Sequence, residues 1–275
     1  MTIGIKRYIT LAVGRAVAVL MFATLALTAS AAHPELDVVL LGDSNTWIGG
    51  DDCSKERGWQ KWFIEKFEPG SCRSYARSGA TWTNTKNTVP DTKAYSEVLG
   101  DNNVIYNQVE RLIEAVKSGR QVEPEVIIIG AGANDAWFAS KRPYEFHETV
   151  AEVFADEKGM IADWKPSKTL TLAGSIRLSC ERLMRAFPNA QIVLLTAPQI
   201  TQCSYEDLRR VNDVITETGH RMSLTVIPLA DECGTYNILE NTTRRNTADG
   251  CHTTADGARR MGRYIASRLE SSLLF

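Results

Sequence analysis

Two features of the 275-residue chain predict an α/β protein built on one five-stranded parallel sheet. Five apolar runs of strand length, at residues 37–41, 72–76, 126–129, 192–195 and 224–229, alternate with longer stretches of helical periodicity. That alternation calls for parallel strands joined by crossovers, with helices on both faces. The first run, Val38-Val39-Leu40-Leu41, is apolar at every position rather than at every second one. Such a strand is buried on both sides.

Residues 1–32 stand apart from this pattern. Lys6, Arg7 and Arg15 precede an uncharged apolar stretch at 16–27, and Ala29-Ser30-Ala31 follows as a cleavage site. This is the layout of a secretory signal peptide. Its apolar part falls short of the roughly 20 residues a spanning helix needs. The expected mature protein, 33–275, is therefore secreted or periplasmic, with no membrane contact beyond the leader. Without the leader, 28 basic residues face 33 acidic ones, a charge of about −5. A mildly acidic surface disfavours nucleic acid as a partner. No internal repeat and no Pro-, Gly- or Ser-rich linker divides residues 33–275, so one domain is expected.

The elements follow in order. After strand 37–41 comes a Gly- and Asp-rich loop, then a helical stripe of Trp59, Trp62, Phe63, Ile64 and Phe67 that Pro69-Gly70 ends. A strand near 72–76 leads into a polar loop over 81–102. Ile105, Val109, Leu112, Ile113 and Val116 are spaced for an amphipathic helix closing at Gly119. Strand 126–129 precedes an aromatic and charged insertion at 136–166. A helix over 170–187 stops at Pro188-Asn189, strand 192–195 follows, and a helix at 205–218 leads to strand 224–229. A loop over 231–250 and a helix over 255–273 complete the chain.

On this layout the chemically distinctive residues all follow strand ends. Ser44 comes after the first strand, Gly79 after the second, Asn134 after the third, and Asp249 and His252 after the fifth. In an open parallel sheet those loops gather at the edge where ligands bind. A lone Ser44 would be read as a helix cap; with a base in reach it becomes a nucleophile. Of four histidines, His33 lies at the leader junction, His147 in the insertion and His220 before the fifth strand. Only His252 falls on the correct side. Asp249, three residues earlier, can hold the ring nitrogen that the serine does not use. Backbone N–H groups of Ser44 and Gly79 and the side-chain amide of Asn134 supply donors for an oxyanion.

Gly42-Asp43-Ser44, Gly79, Gly132-Ala133-Asn134-Asp135 and Asp249-Gly250-Cys251-His252 resemble the four sequence blocks of the SGNH, or GDSL, hydrolases, in the family's order. The resemblance implies a flavodoxin-like three-layer sandwich and serine esterase activity. It implies nucleophile Ser44, base and acid His252 and Asp249, an oxyanion hole of Ser44, Gly79 and Asn134, and no metal or other cofactor. Asn45 stands where many members carry Leu, and Asn45-Thr46-Trp47 lies nearer the arylesterase and carbohydrate-esterase branches. Thr46 occupies the place of the second Gly of the Gly-x-Ser-x-Gly elbow, so the α/β-hydrolase motif is absent.

Trp47, Trp82 and Trp137 lie within three residues of Ser44, Gly79 and Asn134, and aromatic faces at a wet cleft suit sugar or aryl rings. With export added, the expected substrate is a small acyl ester, acetyl foremost, on a carbohydrate. A short-chain aryl- or lysophospholipid esterase, an O-acyltransferase and a non-catalytic sugar-binding module are the alternatives. Six cysteines, Cys53, Cys72, Cys180, Cys203, Cys233 and Cys251, form no C-x-x-C pair. Export permits disulfides. Their places in the layout suggest a Cys233–Cys251 bridge, with Cys203 as the rival partner of either.

Overall fold

A strand whose neighbours on both sides are strands, and whose two faces both meet helices, has no polar direction left for its side chains. That condition holds for the middle of this protein. The computed structural model describes residues 32–156 and 159–274. The leader expected at 1–32 lies outside these residues but for Ala32. His33–Phe275 forms one compact unit.

The chain runs β1 (His33–Gly42), α1 (Ser44–Trp47), α2 (Trp59–Phe67) and β2 (Pro69–Ser74). Next come α3 (Ile105–Lys117), β3 (Val126–Gly130), α4 (Ala133–Trp137), α5 (Val150–Val153) and α6 (Leu172–Ala186). It closes with β4 (Gln191–Leu195), α7 (Tyr205–Arg221), β5 (Thr225–Ile227), α8 (Leu229–Glu232), α9 (Asn237–Thr242) and α10 (Ala255–Glu270). The strands form one sheet in the order β2-β1-β3-β4-β5, and every pairing is parallel. This is the flavodoxin-like order.

Successive side chains of a strand point to opposite faces, and the sheet sorts its residues accordingly. Val39, Leu41, Ile127, Ile129, Ile192 and Leu194 pack with Leu112 of α3, Ile176 of α6 and Val211 of α7. Val38, Leu40, Val126, Ile128, Val193 and Leu195 pack on the other side with Trp59 and Phe63 of α2 and Ile265 and Leu269 of α10. The result is the expected three-layer sandwich.

Element ends differ from expectation where local chemistry is subtle. Glu68 adopts a left-handed φ of 50° and caps α2, so Pro69 opens β2 three residues before the expected start. Proline is tolerated at the first residue of an edge strand, where no ladder donor is required. β1 begins at His33 rather than 37 because His33 pairs with Pro69 across a register break. Two short helices, α8 and α9, lie where a plain stretch of loop was expected.

Helices α2 and α10 approach closely because Gly262 carries no side chain. A Cβ there would lie 2.2 Å from the Trp59 carbonyl oxygen and 2.8 Å from the Phe63 nitrogen. Gly262→Ala should therefore push the helices apart and cost about 1–3 kcal/mol, outweighing alanine's better helix propensity. Urea unfolding of the variant measures this, and a gain in stability would contradict the close approach.

Candidate active site

The site begins with how β1 ends. Gly42 and Gly130 are register partners on β1 and β3, and the next residue, Asp43, donates its N–H to the Gly130 carbonyl at 3.1 Å. A Cβ on Gly42 would stand 2.4 Å from that same oxygen, so only glycine permits the approach. The Gln108 side chain, reaching from α3, completes the backbone of Gly42. Its Oε1 accepts the Gly42 N–H at 2.8 Å, and its Nε2 donates to the Gly42 carbonyl at 2.8 Å. Asp43 then caps α1, accepting the Asn45 N–H at 2.9 Å. Ser44 is thus the first residue of a helix, where an N–H has no intrahelical acceptor.

His252 reaches Ser44 across 208 residues of sequence. Its Nε2 lies 2.8 Å from Ser44 Oγ and its Nδ1 2.7 Å from Asp249 Oδ2. An ionised carboxylate only accepts, so Nδ1 carries the proton and the Nε2 lone pair faces the hydroxyl. Burial opposes ionisation of Asp249. The His252 ring and the N–H groups of His252 and Cys251 outweigh it, holding the carboxyl down at about 2. The side chain is nonetheless 52% exposed.

Several contacts hold this loop. Arg57 Nε donates to the Thr253 carbonyl at 3.0 Å, and Thr253 Oγ1 donates to the Arg57 carbonyl at 2.5 Å. Thr201 N–H donates to the Gly250 carbonyl at 2.9 Å, and Gln202 Nε2 to that of Asp249 at 3.0 Å. Glu240, fully buried, accepts from the N–H groups of Asn246 and Thr247 and from Thr247 Oγ1 at 2.8–3.0 Å. The other histidines are engaged elsewhere: His33 stacks on Phe67, His147 meets Tyr144 edge-on, and His220 sits in the last turn of α7.

The loop after β2 is tied to α4. Asn134 is buried and its Nδ2 donates to the Ala80 carbonyl at 2.9 Å, leaving the second amide hydrogen to point elsewhere. Asp135 accepts from Trp82 N–H at 3.0 Å, Thr83 N–H at 2.9 Å and Thr83 Oγ1 at 2.8 Å. Burial pushes its carboxyl up, against those three bonds. Gly79 takes φ +75°, and a Cβ there would lie 2.6 Å from Val98 Cα. Left-handed backbone and close approach together require glycine.

Two sequence expectations need correction. Trp82 does not line a cleft: it is fully buried, with Nε1 donating to the Ala131 carbonyl at 3.2 Å. The residue after it is drawn inward by Asp135, and the indole fills the core between β3 and α3. Trp47 and Trp137 are 41% and 40% exposed, the latter stacked on Phe138 at 4.9 Å. The Cys233–Cys251 bridge is not formed, since both are free thiols packed in cores on opposite faces of the sheet. Following a strand end placed both near one edge of the sheet but could not say to which face each returned. Among the described residues no group of three or more His, Cys, Asp or Glu is arranged to hold a metal ion. Nor is any described helix long and apolar enough to cross a membrane.

Residues 38–265 match the family model of the GDSL-like lipases/acylhydrolases. No curated protein matches the chain. Among solved structures, a protein from Lactobacillus plantarum superposes with TM-score 0.58 at 15% identity, over 87% of this chain and 98% of that one. An acetyl xylan esterase superposes with TM-score 0.51 at 17% identity, over 87% and 100%. A carbohydrate acetylesterase from Sinorhizobium meliloti does so with TM-score 0.51 at 17% identity, over 86% and 100%. At such identities the likeness speaks for the fold alone.

Asp43 makes the site's electrostatics testable. Burial raises its carboxyl from 3.8 to about 6, with Asp135 adding to the rise and the Asn45 N–H opposing it. Below pH 3.8 the group is neutral in both folded and unfolded chains and costs nothing. Between 3.8 and 6 the unfolded chain loses its proton first, so stability falls as pH rises. Asp43→Asn keeps the cap and removes the charge. It should stabilise the protein at pH 8 by an amount on the order of 3 kcal/mol and bring no such gain at pH 3.5. Denaturant unfolding at the two pH values decides it; an equal effect at both would refute the buried charge.

Proposed function

The chain belongs to the GDSL-like lipase/acylhydrolase family, which makes it a carboxylic ester hydrolase, and on that premise we propose that it is an exported serine esterase releasing small acyl groups, acetyl foremost, from carbohydrate. One observation carries the mechanism: Ser44 Oγ, the His252 ring and the Asp249 carboxylate stand in a line of two short hydrogen bonds, 2.8 and 2.7 Å.

In this reading Ser44 Oγ attacks the ester carbonyl carbon while its proton passes to His252 Nε2. Asp249 holds the resulting imidazolium through Nδ1–H and stays ionised. The carbonyl oxygen takes up negative charge and is met by the N–H groups of Ser44 and Gly79 and the free amide hydrogen of Asn134. His252 then gives its proton to the leaving alkoxide, and the alcohol departs, leaving Ser44 acylated. Water repeats the sequence: His252 takes its proton, the acid is released, and Ser44 recovers its hydroxyl.

The substrate reading rests on Trp47 and Trp137. Both are exposed on the short helices that carry Ser44 and Asn134, where each can lie under a sugar ring. The fold likeness to an acetyl xylan esterase and a carbohydrate acetylesterase agrees with it. Acetate release from a panel of acetylated polysaccharides tests the acceptor.

Ser44→Ala should keep the fold and abolish turnover of p-nitrophenyl acetate, and a fluorophosphonate should label the wild type at Ser44 alone. Labelling at another serine sinks the assignment. Asn134→Ala should lower kcat by about 10²–10³ with little change in KM; a change in KM alone would make Asn134 a binding residue. Asp249→Asn should cost less than His252→Ala, at most about 10⁴ in kcat, because an orienting acid contributes less than the base and water can reach this one. Equal losses in the two variants would contradict that ranking.

A further inference from the structure

One pair of side chains outside the site stands in a chemically loaded arrangement. Cys53 Sγ and Cys72 Sγ lie 3.8 Å apart, although the residues belong to different elements. Cys72 is in the edge strand β2, paired with Val38. Cys53 is in the turn after α1, buried against the core that holds Trp59 and Phe63. Both backbones are pinned: Cys53 N–H donates to the Gly50 carbonyl at 3.2 Å, and Ser74 N–H donates to the Asp51 carbonyl at 3.0 Å. The turn and the strand are therefore already joined beside the two sulfurs.

The backbone at Cys53 adds an independent sign. Its φ is +60°, in the left-handed region where glycine or asparagine is the usual occupant. A β-carbon held there against its preference is explained if the sulfur has work that glycine cannot do. Cys53 is the one cysteine of the chain in that conformation.

We propose that Cys53 and Cys72 are covalently joined as a disulfide in the folded protein. Rotation about the Cα–Cβ bonds is the motion that would close this 3.8 Å separation to an S–S bond of about 2.05 Å. The oxidant is a disulfide, either a dithiol oxidase of the export compartment or oxidised glutathione. Cys72 lines an open hollow of about 520 Å³ together with Asp51, Arg73 and Arg120, so an oxidant reaches it first. The Cys72 thiolate attacks one sulfur of the oxidant, giving a mixed disulfide and expelling one thiolate. The Cys53 thiolate then attacks Cys72 Sγ, closing the protein bond and expelling the second thiol. Two protein thiols lose two protons and two electrons, and the oxidant disulfide takes them up as two thiols.

The bond would act beyond its own loop. The segment after Cys53 carries Arg57, which grips Thr253 through two hydrogen bonds. Thr253 directly follows His252. Fastening Cys53 to the sheet therefore also fastens the brace behind the base. The inference rests on this geometry and on the proposed export, and does not depend on the esterase reading.

Peptide mapping of the full chain, equilibrated with reduced and oxidised glutathione and alkylated without reduction, tests it. The expected result is a linked pair of tryptic peptides ending at Lys55 and Arg73. Cys53→Ser, Cys72→Ser and the double variant should each lower Tm by roughly 6–12 °C, the double no more than either single, because all three remove the same bond. Free thiols at both positions, a link from either to a different cysteine, or additive losses of Tm would each overturn the proposal.

Discussion

A strand that ends inside a protein must hand its last N–H and C=O to something other than water. The architecture of this site is a set of answers to that demand. At β1 the answer is the Gln108 amide, which meets both groups of Gly42 and turns the chain into α1 with Ser44 at its head. At β4 the same device recurs: Asn212, reaching from α7, accepts the Ala197 N–H at 2.8 Å and donates to its carbonyl at 3.0 Å. A side-chain amide offers a donor and an acceptor on two separate atoms, so one residue completes both groups of a strand end, which a carboxylate, able only to accept, could not. Gln108 thus holds both backbone groups of Gly42 where β1 turns toward Ser44, and the Arg77 N–H adds a second bond to the Gly42 carbonyl at 3.0 Å.

Buried carboxylates do the corresponding work for the loops. Asp43 caps the helix that Ser44 begins, Asp135 gathers two backbone N–H groups and a hydroxyl beside Asn134, and Glu240 gathers the loop segment that leads to Asp249. Each is almost wholly removed from solvent, and burying a carboxylate is costly unless hydrogen bonds replace its hydration. Asp135 and Glu240 receive three or more such bonds each. Burial raises the Asp43 carboxyl to about 6, the Asn45 N–H opposing the rise and the Coulomb field of Asp135 adding to it. Rigid loops are therefore obtained at some expense in stability, close to the chemistry, where rigidity matters.

The sequence was most legible where chemistry and periodicity coincide. Apolar runs marked four of the five strands, while the edge strand β2, Pro69–Ser74, is mostly polar, and strand ends placed Ser44 with His252 and Asp249, which the fold brings together through two hydrogen bonds. Strand limits were less legible: a proline after a helix reads as a stop, yet Pro69 stops α2 and starts β2 at once. Trp82 was misplaced because closeness in sequence to Gly79 says nothing about which way an indole points. Asp135, which accepts the Trp82 N–H directly, was the signal, since an acidic residue beside Asn134 needs donors. Gln108 was invisible because it acts on backbone 66 residues away, and Glu240 because the N–H groups it accepts, on Asn246 and Thr247, lie in a loop with no periodicity to mark them. The cysteines failed for the same reason as Trp82: a loop position fixes the edge of the sheet but not the face.

The line from Ser44 to His252 spans 208 residues, with the nucleophile near the front of the folded unit and the base just before its last helix. A ribosome therefore makes Ser44 long before His252, the group that would activate it in the proposed mechanism. Any nascent chain or fragment that stops before His252 carries a serine no more reactive than an ordinary alcohol. In the proposed mechanism, hydrolytic power is withheld until the chain has been made through His252 and has folded it back onto Ser44.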